Sequence, residues 1–382
     1  MNVTLLEMKQ ILKILKRVMI LFLSILLLLA VSGLLFLQHP MFGKAPSGER
    51  LERIRQSPQF KDGQFENFSP TPMLSEGYSM AGIIIDQYFK SHPNRDPKGR
   101  IPSTKTDLLT LPPEENVLVW FGHSSYFMQL EGKRFLVDPV LSGNASPIPG
   151  SLKAFQGTDQ YTVTDFPQID YLLISHDHYD HLDYRTVLGL RERVNTVVCG
   201  LGVGSHFEHW GYSPSVIIEK DWDETVEFGE LKIHTTKARH FSGRSIKRNN
   251  TLWLSYVIET ANLKIFVGGD SGYDSHLAEI GQAHGPFDLA ILENGQYNVA
   301  WDKIHFMPHQ VIAAASDLQA KRVMPVHSSK FRLAMHPWDE PLSEVSRFAL
   351  EQEIPLITPI IGEKVDIDDE TQTFKSWWTE VK

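Results

Sequence analysis

The chain of 382 residues has a single cysteine, Cys199, which excludes an intrachain disulfide framework and any metal site built on several thiolates. Cys199 lies in the apolar run Thr196-Val197-Val198-Cys199. It is expected as a buried strand residue rather than a reactive thiol. A basic excess is also missing: 37 Lys and Arg stand against 46 Asp and Glu, a net charge of -9, so no nucleic-acid partner is expected. Short internal repeats and low-complexity tracts are absent as well. Apolar residues make up 42% and charged ones only 22%, enough for a sizeable core, which excludes a disordered or fibrous chain.

One long apolar run is present. Residues 18–37 are interrupted only by Ser24, Ser32 and Gly33, and about 20 such residues cross a bilayer as a helix. Lys9, Lys13, Lys16 and Arg17 precede the run and favour a cytoplasmic amino terminus, although Lys44, Arg50 and Arg53 follow it. Residues 1–40 are therefore expected as a cytoplasmic stub and single-pass anchor, with the rest of the chain on the non-cytoplasmic side, periplasmic or extracellular. A cleaved signal peptide is the competing reading; the length of the run and the lack of a small-x-small cleavage site speak against it. Residues 41–115, rich in Pro, Ser, Gly and charge, read as a linker and lead-in with one helix over 81–89. Residues 116–382 read as the globular domain.

Strand patterns fall at 117–121, 126–130, 134–137, 171–174, 231–236, 252–259, 264–267, 289–292 and 322–326. Helical patterns fall at 184–193, behind Asp183 as N-cap, and at 309–320. Strands mixed with interposed helices predict a layered α/β protein.

The strongest chemical signal is Ser175-His176-Asp177-His178-Tyr179-Asp180-His181-Leu182-Asp183, directly after an apolar strand. Imidazole and carboxylate suit zinc and similar divalent ions, and a turn at a strand end can aim several side chains into one cavity. Further His and Asp residues close later strand patterns: His240, Asp270 after Gly268-Gly269, and His327 after Pro325-Val326. Each alone has an ordinary explanation as a hydrogen-bonded surface residue. Together they form a pattern a metal pair requires.

The combination resembles the metallo-β-lactamase superfamily, whose signature is HxHxDH with separate His, Asp and His ligands downstream. The resemblance is closest to the branch of N-acylphosphatidylethanolamine phospholipase D. It is carried by Trp120-Phe121-Gly122-His123-Ser124-Ser125, Val137-Asp138-Pro139, the histidine motif through Tyr184, Gly269-Asp270-Ser271-Gly272-Tyr273 and Gly285-Pro286-Phe287-Asp288-Leu289-Ala290. It implies a four-layer αββα sandwich and two zinc ions, with manganese or iron as other candidates. It also implies His176, His178 and His240 on one ion, Asp180, His181 and His327 on the other, and Asp270 bridging both. A hydroxide between the metals would be the nucleophile, oriented by Asp180. His123 and Asp138 would orient ligands by hydrogen bonds. His305 would donate a proton to the leaving alkoxide or bind a phosphoryl oxygen.

Tyr297, Trp301, Phe331 and Trp338 are candidates for the wall of an apolar substrate cavity, with core packing as the plainer role. The expected function is a phosphodiesterase of phospholipase D type acting on phospholipids or other small phosphodiesters. Metal-dependent hydrolysis of a lactone or amide is the enzymatic alternative, and a membrane-tethered metal-binding module the non-enzymatic one.

Overall fold

The computed structural model describes residues 5–381. Helix α1 (Leu5–Phe36) is followed by α2 (Gly48–Arg55), a hairpin of β1 (Phe60–Lys61) and β2 (Gln64–Phe65), and α3 (Met80–Phe89). A first sheet then begins with β3 (Val117–Trp120), β4 (Tyr126–Leu130), β5 (Lys133–Val137) and β6 (Ile169–Ile174). It continues through α4 (Tyr184–Leu190), β7 (Val194–Gly200), α5 (Gly204–His209) and β8 (Ile217–Lys220). A second sheet takes β9 (Thr225–Phe228), β10 (Leu231–Thr236), β11 (Ser255–Glu259), β12 (Lys264–Val267), β13 (Leu289–Glu293) and β14 (Val323–Val326). Helices α6 (His276–His284) and α7 (Pro308–Asp317) connect its last three strands. After α8 (Glu340–Glu351), β15 (Lys364–Asp366) returns to the first sheet beside β3.

The strand orders are β15-β3-β4-β5-β6-β7-β8 and β14-β13-β12-β11-β10-β9. Strands β5 to β8 run parallel, as do β12 to β14; the other neighbours are antiparallel. Alternation along each strand explains the layering. On β6, Tyr171 and Leu173 face the second sheet in a core shared with Ile233, Tyr256, Ile258, Ile265 and Ile291. Leu172 and Ile174 face the other way, onto Val187 and Leu190 of α4 and Phe207 of α5. On the far side of the second sheet, Phe266, Ala290 and Leu292 pack on Leu277, Val311, Ile312 and Val345 from α6, α7 and α8. These three apolar layers define the αββα sandwich that the resemblance implied.

Two element boundaries differ from the sequence patterns for visible reasons. Residues 252–254 were expected to lie in a strand with 255–259, but Leu252 and Leu254 donate their amides to Leu201 and Ser175 on the opposite sheet (2.8 and 3.0 Å). The strand after residue 117 stops at Trp120 because Gly122 and His123 adopt positive φ, 83° and 54°.

The stretch between residues 41 and 115 carries α2, the small hairpin and α3, and much of it is bonded to the sandwich. Arg50 Nε donates to Glu219 (2.6 Å), Phe65 N to Asn249 O (2.8 Å), and Asn67 Nδ2 to His240 O (2.7 Å). Helix α1 is different: from Glu7 to Phe36 it is long and apolar enough to cross a membrane, and its side chains are exposed, Leu28 by 65%. Length and composition fit a membrane anchor or a signal sequence equally.

Leu173, at the centre of the layer between the sheets, is fully buried. Leu173→Ala should lower unfolding free energy in urea by about 2–5 kcal/mol, the range for a core leucine that leaves a cavity. A loss under about 1 kcal/mol would show that the sheets do not pack there as described.

Candidate metal centre

The histidine motif leaves the carboxyl end of β6 as a tight turn, in which the amides of His181 and Leu182 donate to His178 O (3.1 and 2.8 Å). Asp183 then caps α4 by accepting from Arg185 N (3.2 Å). This turn places Asp180 and His181 beside the chain ends of the second sheet. His240 follows β10 after a short extended stretch, Asp270 follows β12, and His327 follows β14.

The structure brings all seven expected ligands together. His176 Nε2 lies 2.8 Å from His178 Nδ1, and His240 Nε2 lies 3.3 Å from the same atom. Asp270 stands at the centre: its Oδ2 is 3.9 Å from His176 Nε2, 3.3 Å from His181 Nε2 and 3.7 Å from His240 Nε2, while Oδ1 is 3.2 Å from His327 Nδ1. Among the described residues four overlapping sets have metal-ligand spacing: His176, His178 and His240; His123, Asp180, His181 and His327; His176, His181 and Asp270; and Asp270, Glu293, His305 and His327.

The outer contacts fix these rings. Asp138, at the end of β5, accepts from Ser175 N and from His181 Nδ1 (both 2.8 Å), which leaves His181 Nε2 facing the cluster. His240 Nδ1 donates to Ile304 O at 2.9 Å. His123 Nε2 is bonded to Asp180 Oδ2 at 2.9 Å, closer to the cluster than an orienting role alone requires. His123, Asp138 and His327 all have positive φ, 54°, 41° and 65°, so the backbone is strained at three of these positions.

Metal ions fit this donor set. His181 Nε2 and Asp270 Oδ1 are buried with no hydrogen-bond partner among the described residues. Burial pushes the imidazoles of His176, His240 and His327 well below their ordinary range, toward the neutral form that ligates. Burial would lower His181 too, but Asp270, Asp180 and Asp138 together push it up. The same carboxylate field suits a divalent cation.

Sequence reasoning missed Glu293. This carboxylate closes the fully buried β13 and accepts from Ser271 N (3.2 Å) and Phe306 N (2.9 Å) through Oε1. Its Oε2 pairs with His305 Nδ1 at 2.9 Å. The signal was available: an acid ending an apolar strand, as Asp270 and His327 follow theirs. Asp177, inside the motif but outside the expected ligand set, is buried and bonded to His206 (3.1 Å) and Thr251 (2.9 Å).

The aromatic candidates divide. Phe331 packs edge-on against His123, ring centroids 5.4 Å apart. Trp301 donates from Nε1 to Gln296 O (2.9 Å). Tyr297 is tied through its hydroxyl to Glu340 on α8 (2.9 Å), and Trp338 packs against Trp377 in the core.

A family profile described as Beta-lactamase superfamily domain matches residues 133–328, a stretch that contains all seven candidate ligands. The chain belongs to the metallo-β-lactamase superfamily. An uncharacterized protein of Mycobacterium tuberculosis is 36% identical over 330 residues, 85% of this chain and 88% of that one. The N-acyl-phosphatidylethanolamine-hydrolyzing phospholipase D 1 of Caenorhabditis elegans is 28% identical over 227 residues, 54% of this chain and 62% of that enzyme. Among solved structures, Igni18, a metallo hydrolase from Ignicoccus hospitalis, aligns with a TM-score of 0.51 at 18% identity, over 65% of this chain and 97% of that one, which shows the shared metallo-β-lactamase fold. With its buried His and Asp cluster, this superfamily member is a metal-dependent hydrolase.

Asp138→Ala should weaken metal binding about 10–100-fold, as loss of a ligand's hydrogen-bond partner does elsewhere. Competition with a chromophoric chelator measures it. An unchanged affinity would mean that Asp138 does not orient His181.

Proposed function

We propose that the chain is a phosphodiesterase of phospholipase D type, acting on N-acylphosphatidylethanolamine-like or other glycerophospholipids. In this reading two zinc ions are held by His176, His178, Asp180, His181, His240, Asp270 and His327. The observation that carries it is the pair of His305 and Glu293 at the margin of the cluster. The His305 ring lies 5.1 Å from that of His240 and 5.3 Å from that of His327, centroid to centroid, and its side chain keeps 12% exposure. Burial would lower its imidazole, but the Glu293 carboxylate beside it holds it above its ordinary range, which favours the protonated ring. With Nδ1 committed to Glu293, Nε2 is left to donate.

A phosphodiester offers this donor both an anionic oxygen to bind and an alkoxide leaving group to protonate. A lactone or amide carries no such charge before attack. The similarity to a nematode enzyme named for hydrolysing N-acyl-phosphatidylethanolamine supports the same substrate class. Two divalent ions, when bound, would lower the pKa of a shared water and neutralise charge on phosphoryl oxygens. Asp180, already accepting from His123, is held to orient the attacking water, and Asp270 stands between the two sets of imidazoles. Helix α1 serves as a bilayer anchor, with the cations before it keeping the domain on the non-cytoplasmic side.

Full-length protein in detergent should contain about two zinc ions and hydrolyse bis(p-nitrophenyl) phosphate and a phosphatidylethanolamine. Chelation should abolish the activity and zinc should restore it. His305→Ala should retain zinc while turnover falls on the order of 10²–10⁴-fold, the usual contribution of a general acid. Two zinc ions without diesterase activity would overturn the substrate class and direct the search to lactones and amides. Protease added outside intact membranes should digest the domain; protection would reverse the orientation.

A further inference from the structure

The segment joining α1 to the domain is seated against the histidine motif. Residues 39–45 make no regular structure beyond a short turn at Pro40–Phe42, yet four of the segment's backbone groups are bonded to the sandwich. Pro40 O accepts from Trp210 Nε1 (2.7 Å), and Met41 O accepts from Arg244 Nη2 (2.8 Å). Lys44 N donates to His206 Nδ1 (3.0 Å), and Lys44 O accepts from Ser205 Oγ (2.6 Å). The Phe42 ring stands edge-on to that of Tyr179, centroids 6.2 Å apart.

Two of these partners reach directly into the motif. A backbone N–H can only donate, so His206 Nδ1 is the acceptor and its proton sits on Nε2, which donates to Asp177 Oδ2 at 3.1 Å. Arg244 Nη1 donates to the carbonyls of Asp177 (2.8 Å) and Leu182 (2.6 Å), so one guanidinium joins Met41 to both ends of the turn. The remaining carboxylate positions of Asp177 accept from Gly243 N (2.7 Å) and Thr251 Oγ1 (2.9 Å). Asp177 stands between His176 and His178, and fixing its side chain and its carbonyl fixes the peptide units that aim both rings.

We propose that residues 39–45 act, through His206 and Arg244, as a positioning element for the metal centre, so that affinity for the ions depends on the seating of this segment. His206 is a positioning residue and touches neither metal nor substrate. The inference rests on the metal-hydrolase reading. It adds that a piece of chain about 130 residues ahead of the motif, next to the apolar helix, sets the geometry of His176 and His178.

The test uses the full chain in detergent, with zinc affinity read by chelator competition and the thermal midpoint of the zinc-free protein read in parallel. His206→Phe keeps the ring's bulk and removes the bridge; affinity should fall about 10–100-fold. His206→Gln can accept from Lys44 N and donate to Asp177, and should restore affinity to within about threefold of the parent. Gly43 has a φ of 69°, and a Cβ there would collide with the His206 ring, so Gly43→Ala disturbs the contact from the other side. It should weaken zinc binding comparably, and adding it to His206→Phe should cost little more, because the two changes break one connection. Affinities within about twofold of the parent for His206→Phe and Gly43→Ala would overturn this inference alone. Zinc-free midpoints that fall in step with affinity would assign the network to stability and overturn it as well. A parent chain that binds no zinc would sink both this inference and the metal-hydrolase reading.

Discussion

Asp270 is a carboxylate with 3% exposure surrounded by four imidazoles, and the surrounding architecture can be derived from what such a group requires. Taking an ion out of water costs several kcal/mol unless opposite charge and hydrogen-bond donors meet it in good geometry. Burial would raise the Asp270 carboxyl; the charge of His181, the largest opposing influence, holds it well below the ordinary range. No single strand could supply that many partners. They come from both sheets, and the sandwich brings them to one edge because its parallel strands end there: β5 at Asp138, β6 at the histidine motif, β12 at Asp270, β13 at Glu293 and β14 at His327. Side chains at the carboxyl ends of parallel strands converge outside the sheet, where no further ladder competes for them.

The same constraint accounts for the unusual backbone. Asp138 and His327 directly follow strands, His123 lies three residues past one, and all three have positive φ, a conformation that costs roughly 1–3 kcal/mol for such residues. His123 N donates to Ser328 O and His327 N to His123 O, so the two strained positions brace one another across the edge of the sandwich. A smoother exit from either strand would carry the ring away from Asp180 or Asp270. The strain is thus tied to placing an imidazole where a strand would otherwise continue.

Much of this was legible in the sequence because strand ends are local signals. An apolar run followed by His or Asp marks both a strand and the residue that leaves it, and that logic located His176, His181, Asp270 and His327. It stopped where a residue's importance depends on a partner far along the chain. His206 looks like any helix histidine; only the approach of Lys44, 162 residues away, and Asp177 gives it a task. Arg244 likewise lies 203 residues from Met41, whose carbonyl it binds. Residues 252–254 read as strand because their pattern is apolar, but pattern cannot say that their amides cross to the other sheet. The aromatic residues were hardest to place, since a buried ring and a pocket-lining ring have the same sequence.

The seating of residues 39–45 bears on how the domain would meet a bilayer that α1 crossed. A flexible tether would let the domain rotate and would leave the distance from bilayer to metal centre undefined. Here α1 ends at Phe36, and hydrogen bonds to the domain begin at Pro40, too few residues for free reorientation. A groove lined by Leu37, Phe42, His178, Tyr179, Phe241 and Ile246 runs from the end of the helix to an expected zinc ligand. If α1 spans the bilayer, this groove opens at the membrane surface, and Ile246, 84% exposed, projects beside it. The rigid junction that braces the histidine motif would then also fix which face of the metal centre the bilayer sees, making orientation of the site a property of the fold rather than of diffusion.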